Sequence, residues 1–127
     1  MKNTTIRDVI DIVDKMKPNK VDYSLKVQWL YQLDARVWRE VYMRHWGCPF
    51  RMPPEYTKET DVDTELLIPE PWGSQVYKHW LEAMIDKEHT ELQKYNASIQ
   101  FFNDSYKEFC GNYTKTHMPV QHRTWRF

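Results

Sequence analysis

The residues of this chain that could do chemistry are two cysteines and the histidines nearest to them in the sequence. Cys48 follows His45 by three positions, while Cys110, His117 and His122 lie near the other end. Thiolate and imidazole groups are ligands that zinc prefers, so these five residues could together form a metal site. No C-x-x-C or H-x-x-x-H spacing supports such a site, however. We therefore expect no metal, and interpret the residues as a buried thiol and surface histidines.

An enzyme is also disfavoured by the remaining reactive side chains. Cys48 could be a nucleophile with His45 as its base, but no neighbour would lower the pKa of the thiol and no third member is evident. Asp61 and Asp63 lie in an acidic stretch, which indicates surface charge and not general acid–base chemistry. Glycine occurs only three times, and no phosphate-binding glycine motif is present. We expect a protein that is not an enzyme and binds no cofactor.

Arginine and aromatic side chains near the C-terminal end are the better candidates for a binding site. Arg and Trp are enriched at interface hot spots, and an unstructured end can become ordered on a partner or contact a phosphate backbone. The alternative is a flexible terminus without a role. Trp72 is a further candidate, whereas Trp80 is explained as readily by core packing. The predicted partner-binding residues are Trp72, Arg123, Trp125, Arg126 and Phe127.

Composition predicts one folded domain, residues 1–127, with more aromatic surface than its core needs. Trp, Tyr and Phe make up 15% of the chain, and the net charge is zero. Acidic residues dominate positions 47–73, whereas positions 115–127 carry three basic residues and no acid. This asymmetry would suit contact between copies or with a complementary partner, although solvated loops of random sign would look the same. A neutral total gives no general attraction to nucleic acid.

The N-terminus and the two cysteines bear on the compartment. The first residues contain no apolar segment typical of a signal peptide, which favours a reducing compartment and no disulfide. No stretch approaches the roughly 20 apolar residues that a membrane-spanning helix needs. We expect no membrane association.

Apolar residues at three- and four-residue steps predict helices over about 5–17, 24–44 and 74–116. Thr5 is predicted to cap the first helix, Asp22 or Ser24 the second and Ser74 the last. The polar run 86–94 predicts a bend or a break near His89–Thr90. The apolar stripe of the first helix is Ile6, Val9, Ile10, Val13 and Met16, and a heptad-like seam follows the break at Tyr95, Ile99, Phe102, Tyr106, Phe109 and Tyr113.

Between the second and third helical regions, residues 45–73 contain five of the seven prolines and are predicted to form a loop. Glu65–Ile68 could form a short strand within it. The predicted fold class is therefore all-α: a small helical bundle with a long C-terminal helical region, a long proline-rich loop and an extended tail, residues 117–127.

Residues 66–119 resemble small proteins encoded among the structural genes of long-tailed bacteriophages. The resemblance rests on an L-(L/I)-x-P-x-P opening at Leu66–Pro71, then Y-x-x-(W/Y)-L-x-A-x-I-D at Tyr77–Asp86. It continues with Y-N-x-x-(I/M)-x-x-F-N-x-x-(Y/W)-x-x-(F/Y) at Tyr95–Phe109 and ends with T-H-M-P at Thr116–Pro119. These motifs cover a little under half of the chain. The family's chains end soon after T-H-M-P, whereas VQHRTWRF follows here.

The family resembled is that of head–tail connector proteins, the adaptor or head-completion type. The resemblance implies a virion protein that forms a homo-oligomeric ring of twelve copies beneath the portal protein, in the neck of the particle. DNA would pass through the ring without sequence-specific binding, and a stopper or other neck protein would dock below. The protein would be made in the bacterial cytoplasm. The alternatives are a stopper or tail-completion protein, which is more often β-rich, and a small helical nucleic-acid-binding regulator.

Overall fold

The structure is a computed structural model that describes residues 3–45, 55–57 and 59–117. Within these residues the fold is all-α, as predicted, and contains no strand. The four helices are α1 (Ile6–Met16), α2 (Tyr23–Glu40), α3 (Gly73–Glu88) and α4 (Leu92–Thr116), and a 3₁₀ turn, Tyr42–Arg44, follows α2. All four helices contribute side chains to one hydrophobic core.

Helix α1 is stabilised by a side-chain cap at its N-terminus and by the burial of its apolar face. The hydroxyl of Thr5 accepts a hydrogen bond from the backbone N–H of Asp8 at 3.2 Å, which satisfies one of the free donors at the helix start. The helix ends at Met16, two residues before Pro18. Its buried residues are Ile6, Val9, Ile10 and Val13, whereas the predicted stripe also included Met16, which is 60% exposed.

Helix α2 buries two charged residues together with its apolar face. It is shorter than predicted, because the chain tightens into the 3₁₀ turn after Glu40. Lys26 and Asp34 are both buried, although charged residues usually lie on the solvent-facing side of an amphipathic helix. Asp34 lies four residues after Leu30 and three before Val37, so the helical period that buries those residues also buries the carboxylate. The predicted caps form no side-chain hydrogen bond to the backbone at this helix start.

The last helical region is broken where the sequence predicts it. Helix α3 ends at Glu88 and α4 begins at Leu92, and Thr90 between them has a left-handed φ of 55°. This turn allows α4 to pack against α3. The predicted seam of α4 is confirmed in its later part, where Phe102, Tyr106, Phe109 and Tyr113 are buried, while Tyr95 and Ile99 are half-buried.

Residues 62–71, which we call the strap, lie across the helices before α3 and contain turns and bends but no helix or strand. Three backbone hydrogen bonds of 2.8–3.1 Å join the strap to the start of the chain, at Thr4, Ile6 and Arg7. The predicted short strand at Glu65–Ile68 does not form, and the structure has only an isolated bridge to Thr5 among its described residues. Leu66, Leu67 and Ile68 are all buried, whereas successive strand residues point to opposite faces.

Two ion pairs connect residues of different helices, and each contains one buried partner. The Lys17 ammonium lies 2.6 Å from the carboxylate of Asp86, a buried residue of α3 that also accepts a hydrogen bond from the Ser98 hydroxyl at 3.0 Å. This arrangement connects the end of α1 to α3 and α4. The buried Lys26 lies 2.6 Å from Asp14 and connects α2 to α1. In these two pairs, the buried Asp86 and the buried Lys26 each have an opposite charge beside them, which offsets the cost of burial.

The strap passes so close to α3 that Gly73 has no room for a side chain. A Cβ atom there would lie 2.5 Å from the carbonyl oxygen of Ile68. We predict that Gly73→Ala lowers the free energy of unfolding by about 1–3 kcal/mol, the usual range for overpacking a core, as measured by urea denaturation. Gly111→Ala is the control, because a Cβ at Gly111 meets nothing within 4 Å and alanine is the better helix former. Equal losses in the two variants would contradict this interpretation of Gly73.

Candidate functional site

Trp72 is the one predicted partner-binding residue that the structure describes, because Arg123, Trp125, Arg126 and Phe127 lie outside the described residues. It stands directly before α3 and is half-buried. Its ring centroid lies 6.2 Å from that of Phe109 in the core. Part of the indole therefore remains available at the surface.

Trp72 borders an open groove of about 320 Å³ between the end of the strap and α4, which we call the Trp72 groove. Its lining includes Pro71, Trp72 and Gln75 on one side and Phe101, Asp104 and Glu108 on the other. Phe101 is 57% exposed, and its ring stacks on the imidazole of His79 at a centroid distance of 5.4 Å. The groove thus combines aromatic surface with two carboxylates, a composition suited to a basic, aromatic partner segment.

Glu70 determines how the chain enters α3 beside this groove. One oxygen of its carboxylate accepts hydrogen bonds from the Ser74 backbone N–H at 2.9 Å, from the Ser74 hydroxyl at 2.6 Å and from the Thr4 hydroxyl at 2.8 Å. The prediction that Ser74 caps the helix is therefore wrong, since α3 begins at Gly73 and the acceptor comes from Glu70. A carboxylate at this end of a helix also interacts favourably with the helix dipole.

Beneath the strap, the carboxylate of Asp34 accepts three hydrogen bonds. One oxygen accepts a hydrogen bond from the hydroxyl of Tyr77. The other accepts from the Tyr56 hydroxyl at 2.6 Å and from the Leu67 backbone N–H at 3.1 Å. The Tyr77 hydroxyl in turn accepts from the backbone N–H of Ile68 at 2.9 Å. Asp34 therefore connects α2, α3 and the strap through a single carboxylate.

The surroundings of Asp34 change its ionisation. Burial raises the pKa of Asp34 to about 6, and the hydrogen bonds from Tyr56, Tyr77 and Leu67 oppose that rise only in part. Burial and the same carboxylate raise the pKa of both phenols, which keeps them protonated as donors. A raised carboxyl pKa often marks an active site. Here Asp34 and Tyr77 are fully buried, and both accept hydrogen bonds from backbone N–H groups of the strap. We therefore interpret this cluster as holding the strap in place.

Sequence reasoning missed the Asp34 cluster, although a signal for it was present. Asp34 interrupts an apolar face at the period that buries its neighbours, and buried carboxylates need donors. The donors come from tyrosines far away in the sequence, which no local pattern identifies. Tyr42 adds a further hydroxyl, which donates to the carbonyl oxygen of Leu67 at 2.5 Å.

The cysteines and histidines do not form a site in the described part of the chain. His45 is buried, which corrects its interpretation as a surface histidine, and its ring nitrogens lie 2.6 Å from the Val41 carbonyl oxygen and 3.2 Å from the Thr114 hydroxyl. Burial raises the pKa of the Cys110 thiol, the opposite of what an activated nucleophile needs. Cys48 and His122 are outside the described residues, and within those no group of three His, Cys, Asp or Glu could hold a metal.

Other sequence candidates have ordinary structural roles. The half-buried Trp80 donates its indole N–H to the Trp29 carbonyl oxygen at 2.8 Å, which agrees with core packing. Asp63 lies 3.3 Å from Arg7 with both side chains exposed, as expected for surface charge.

Comparison with known proteins gave no relative: no family model, no curated protein and no solved structure matches the chain. In the described parts of the chain, none of the helices combines the length and apolar character needed to cross a membrane.

We predict that Tyr77→Phe lowers the free energy of unfolding by about 2–3 kcal/mol in urea denaturation. The change removes a donor to Asp34 and leaves the buried N–H of Ile68 without its acceptor. Tyr56→Phe is the matched control, because it removes one donor and strands no backbone group, and a loss of about 1 kcal/mol is expected. A loss at Tyr56 as large as that at Tyr77 would contradict the bridging role of Tyr77.

The raised pKa of Asp34 also predicts how stability depends on pH. Because the folded pKa is about 6 and the unfolded value is near 3.8, the folded state binds the extra proton in this window. Lowering the pH from 7 to 5 should therefore increase the contribution of Asp34 to the free energy of unfolding by about 1 kcal/mol, and raising the pH should remove it. Asp34→Asn should lose this difference between pH 5 and pH 7 while being less stable throughout. An unchanged pH dependence in that variant would show that Asp34 does not titrate there.

Proposed function

We propose that the protein is a head–tail adaptor of a long-tailed bacteriophage, which forms a ring beneath the portal, extends the DNA channel and docks the next neck protein. The observation that carries the proposal is where the connector-like motifs lie in the fold. Leu66–Pro71 belongs to the strap, Tyr77–Asp86 to α3 and Tyr95–Phe109 to α4. The resemblance therefore covers one packed unit and not a scatter of unrelated positions.

Within that unit, most of the defining motif positions are buried and therefore contribute to the packing of the strap, α3 and α4. The buried motif residues are Leu66, Leu67, Tyr77, Leu81, Ala83, Ile85, Asp86, Phe102, Tyr106 and Phe109. Tyr77 and Asp86 are polar and make specific hydrogen bonds in this unit. A match at such positions supports a shared fold, and the function is inferred through that fold. The all-α architecture favours an adaptor over a stopper of the same neck.

The surface offers what a ring subunit needs, two different faces for neighbouring copies. Ile12 and Met16 lie one turn apart on α1, and both are about half-exposed or more, at 45% and 60%. Met43, in the 3₁₀ turn after α2, is 47% exposed and lies on a different element. We infer a homo-oligomeric ring of twelve copies in the virion neck, with portal and neck proteins as partners. DNA would pass through the ring without sequence-specific contacts.

The test is the native mass of the purified chain, alone and mixed with the portal protein of the same gene cluster. We predict either a ring, with a mass near twelve times the 15.6 kDa of one chain, or a monomer that becomes a ring only on the portal. An unrelated phage's portal serves as the control. A chain that stays monomeric with its portal and is missing from purified virions would refute the adaptor function.

A further inference from the structure

The Trp72 groove continues toward the end of α4 as a second open concavity. This extension is lined by Trp72, Glu108, Gly111, Asn112 and Lys115 and shares Trp72 and Glu108 with the first part. Together they form one path along α4, from Lys115, two residues before the described chain ends, to the exposed ring of Phe101. The path is long enough for an extended peptide segment.

Gly111 is an unusual residue to find on this path. It occupies an exposed position inside α4, where glycine is less favourable than alanine by about 1 kcal/mol. The space that a Cβ would fill is empty, since no described atom other than the nearby backbone of α4 itself lies within 4 Å of it. Packing among the described residues therefore does not require glycine here, whereas a segment lying over the helix at this position would.

The charges along the path differ between its two ends. Near Phe101 the charged side chains are Asp104 and Glu108, both exposed, whereas the end near the tail has Lys107 and Lys115 as well. A segment that carries its basic and aromatic residues at its far end would match this order. Residues 123–127, RTWRF, have that composition.

The length of the tail fits the distance. Asp104 lies 13 residues before His117 on α4, which is about 20 Å along a helix. Ten extended residues, from His117 to Phe127, reach about 33 Å, whereas Phe101 lies about 24 Å from His117 along the helix. A tail that is not fully extended can therefore bring Arg123 to Glu108 and Asp104, with Trp125 and Phe127 at the aromatic side chains of the groove.

We propose that residues 123–127 dock in the Trp72 groove of their own chain, with Arg123 beside Asp104 and Glu108 and with Trp125 and Phe127 against Trp72 and Phe101. The groove is then the resting site of the tail, whatever larger assembly the chain joins. This inference does not depend on the adaptor function, because it concerns contacts within one chain.

Limited trypsin digestion of the full chain tests the proposal, since trypsin cleaves after Arg123 and a docked tail resists it. We predict that Asp104→Asn with Glu108→Gln speeds this cleavage about three- to tenfold, the effect expected for losing two exposed ion pairs. Glu59→Gln with Glu88→Gln is the matched control, because it removes the same charge from exposed positions outside the groove and should leave the rate unchanged.

Gly111→Ala supplies a second, uncharged variant. Its methyl group would protrude into the path without disturbing the described residues, so cleavage after Arg123 should again be faster even though the helix itself is not weakened. Equal cleavage rates in the parent chain and in the Asp104/Glu108 variant would overturn the proposal. Protection that increases with protein concentration would also overturn it, because the groove would then hold the tail of another copy.

Discussion

The hydrogen bonds of Asp34 are the interaction on which the rest of the structure depends. The strap has neither a helix nor a sheet to satisfy its backbone, yet Leu66, Leu67 and Ile68 are buried. Buried N–H groups need acceptors, and here a carboxylate and a tyrosine hydroxyl supply them. An apolar side chain at position 34 could fill the space but could not accept from Leu67, so the strap would lose its hold on α2 and α3.

The position of the strap then determines the geometry of the surface. With Ile68 fixed, its carbonyl oxygen lies where only glycine fits at position 73, and Glu70 reaches the start of α3. Trp72, which lies between Glu70 and Gly73, places its ring near Phe109 of α4. One wall of the groove, formed by Pro71 and Trp72, therefore depends on how the strap is held against α2 and α3.

The sequence predicts the helices well because their apolar periods are strong and local. It places the break near His89–Thr90 and the end of α1 before Pro18, each from a local signal. It does not predict the strap, because three consecutive buried residues resemble a strand until their partners are known. Asp34 and Glu70 were missed for the same reason: the tyrosines that donate to Asp34 and the Thr4 hydroxyl that donates to Glu70 are distant in sequence. The groove follows from these distant contacts, so only its Trp72 was foreseen.

These contacts explain two groups of the aromatic residues: tyrosines whose hydroxyls donate hydrogen bonds inside the protein, and rings that pack in the core. Tyr42, Tyr56 and Tyr77 use their hydroxyls inside the protein, as donors to the strap or to Asp34. Core packing accounts for the buried rings of α4. Neither use applies to the exposed ring of Phe101 or to the free part of Trp72, which leave apolar area in water beside two carboxylates. A surface of that kind is more stable when covered, which agrees with the proposed docking of residues 123–127 on it.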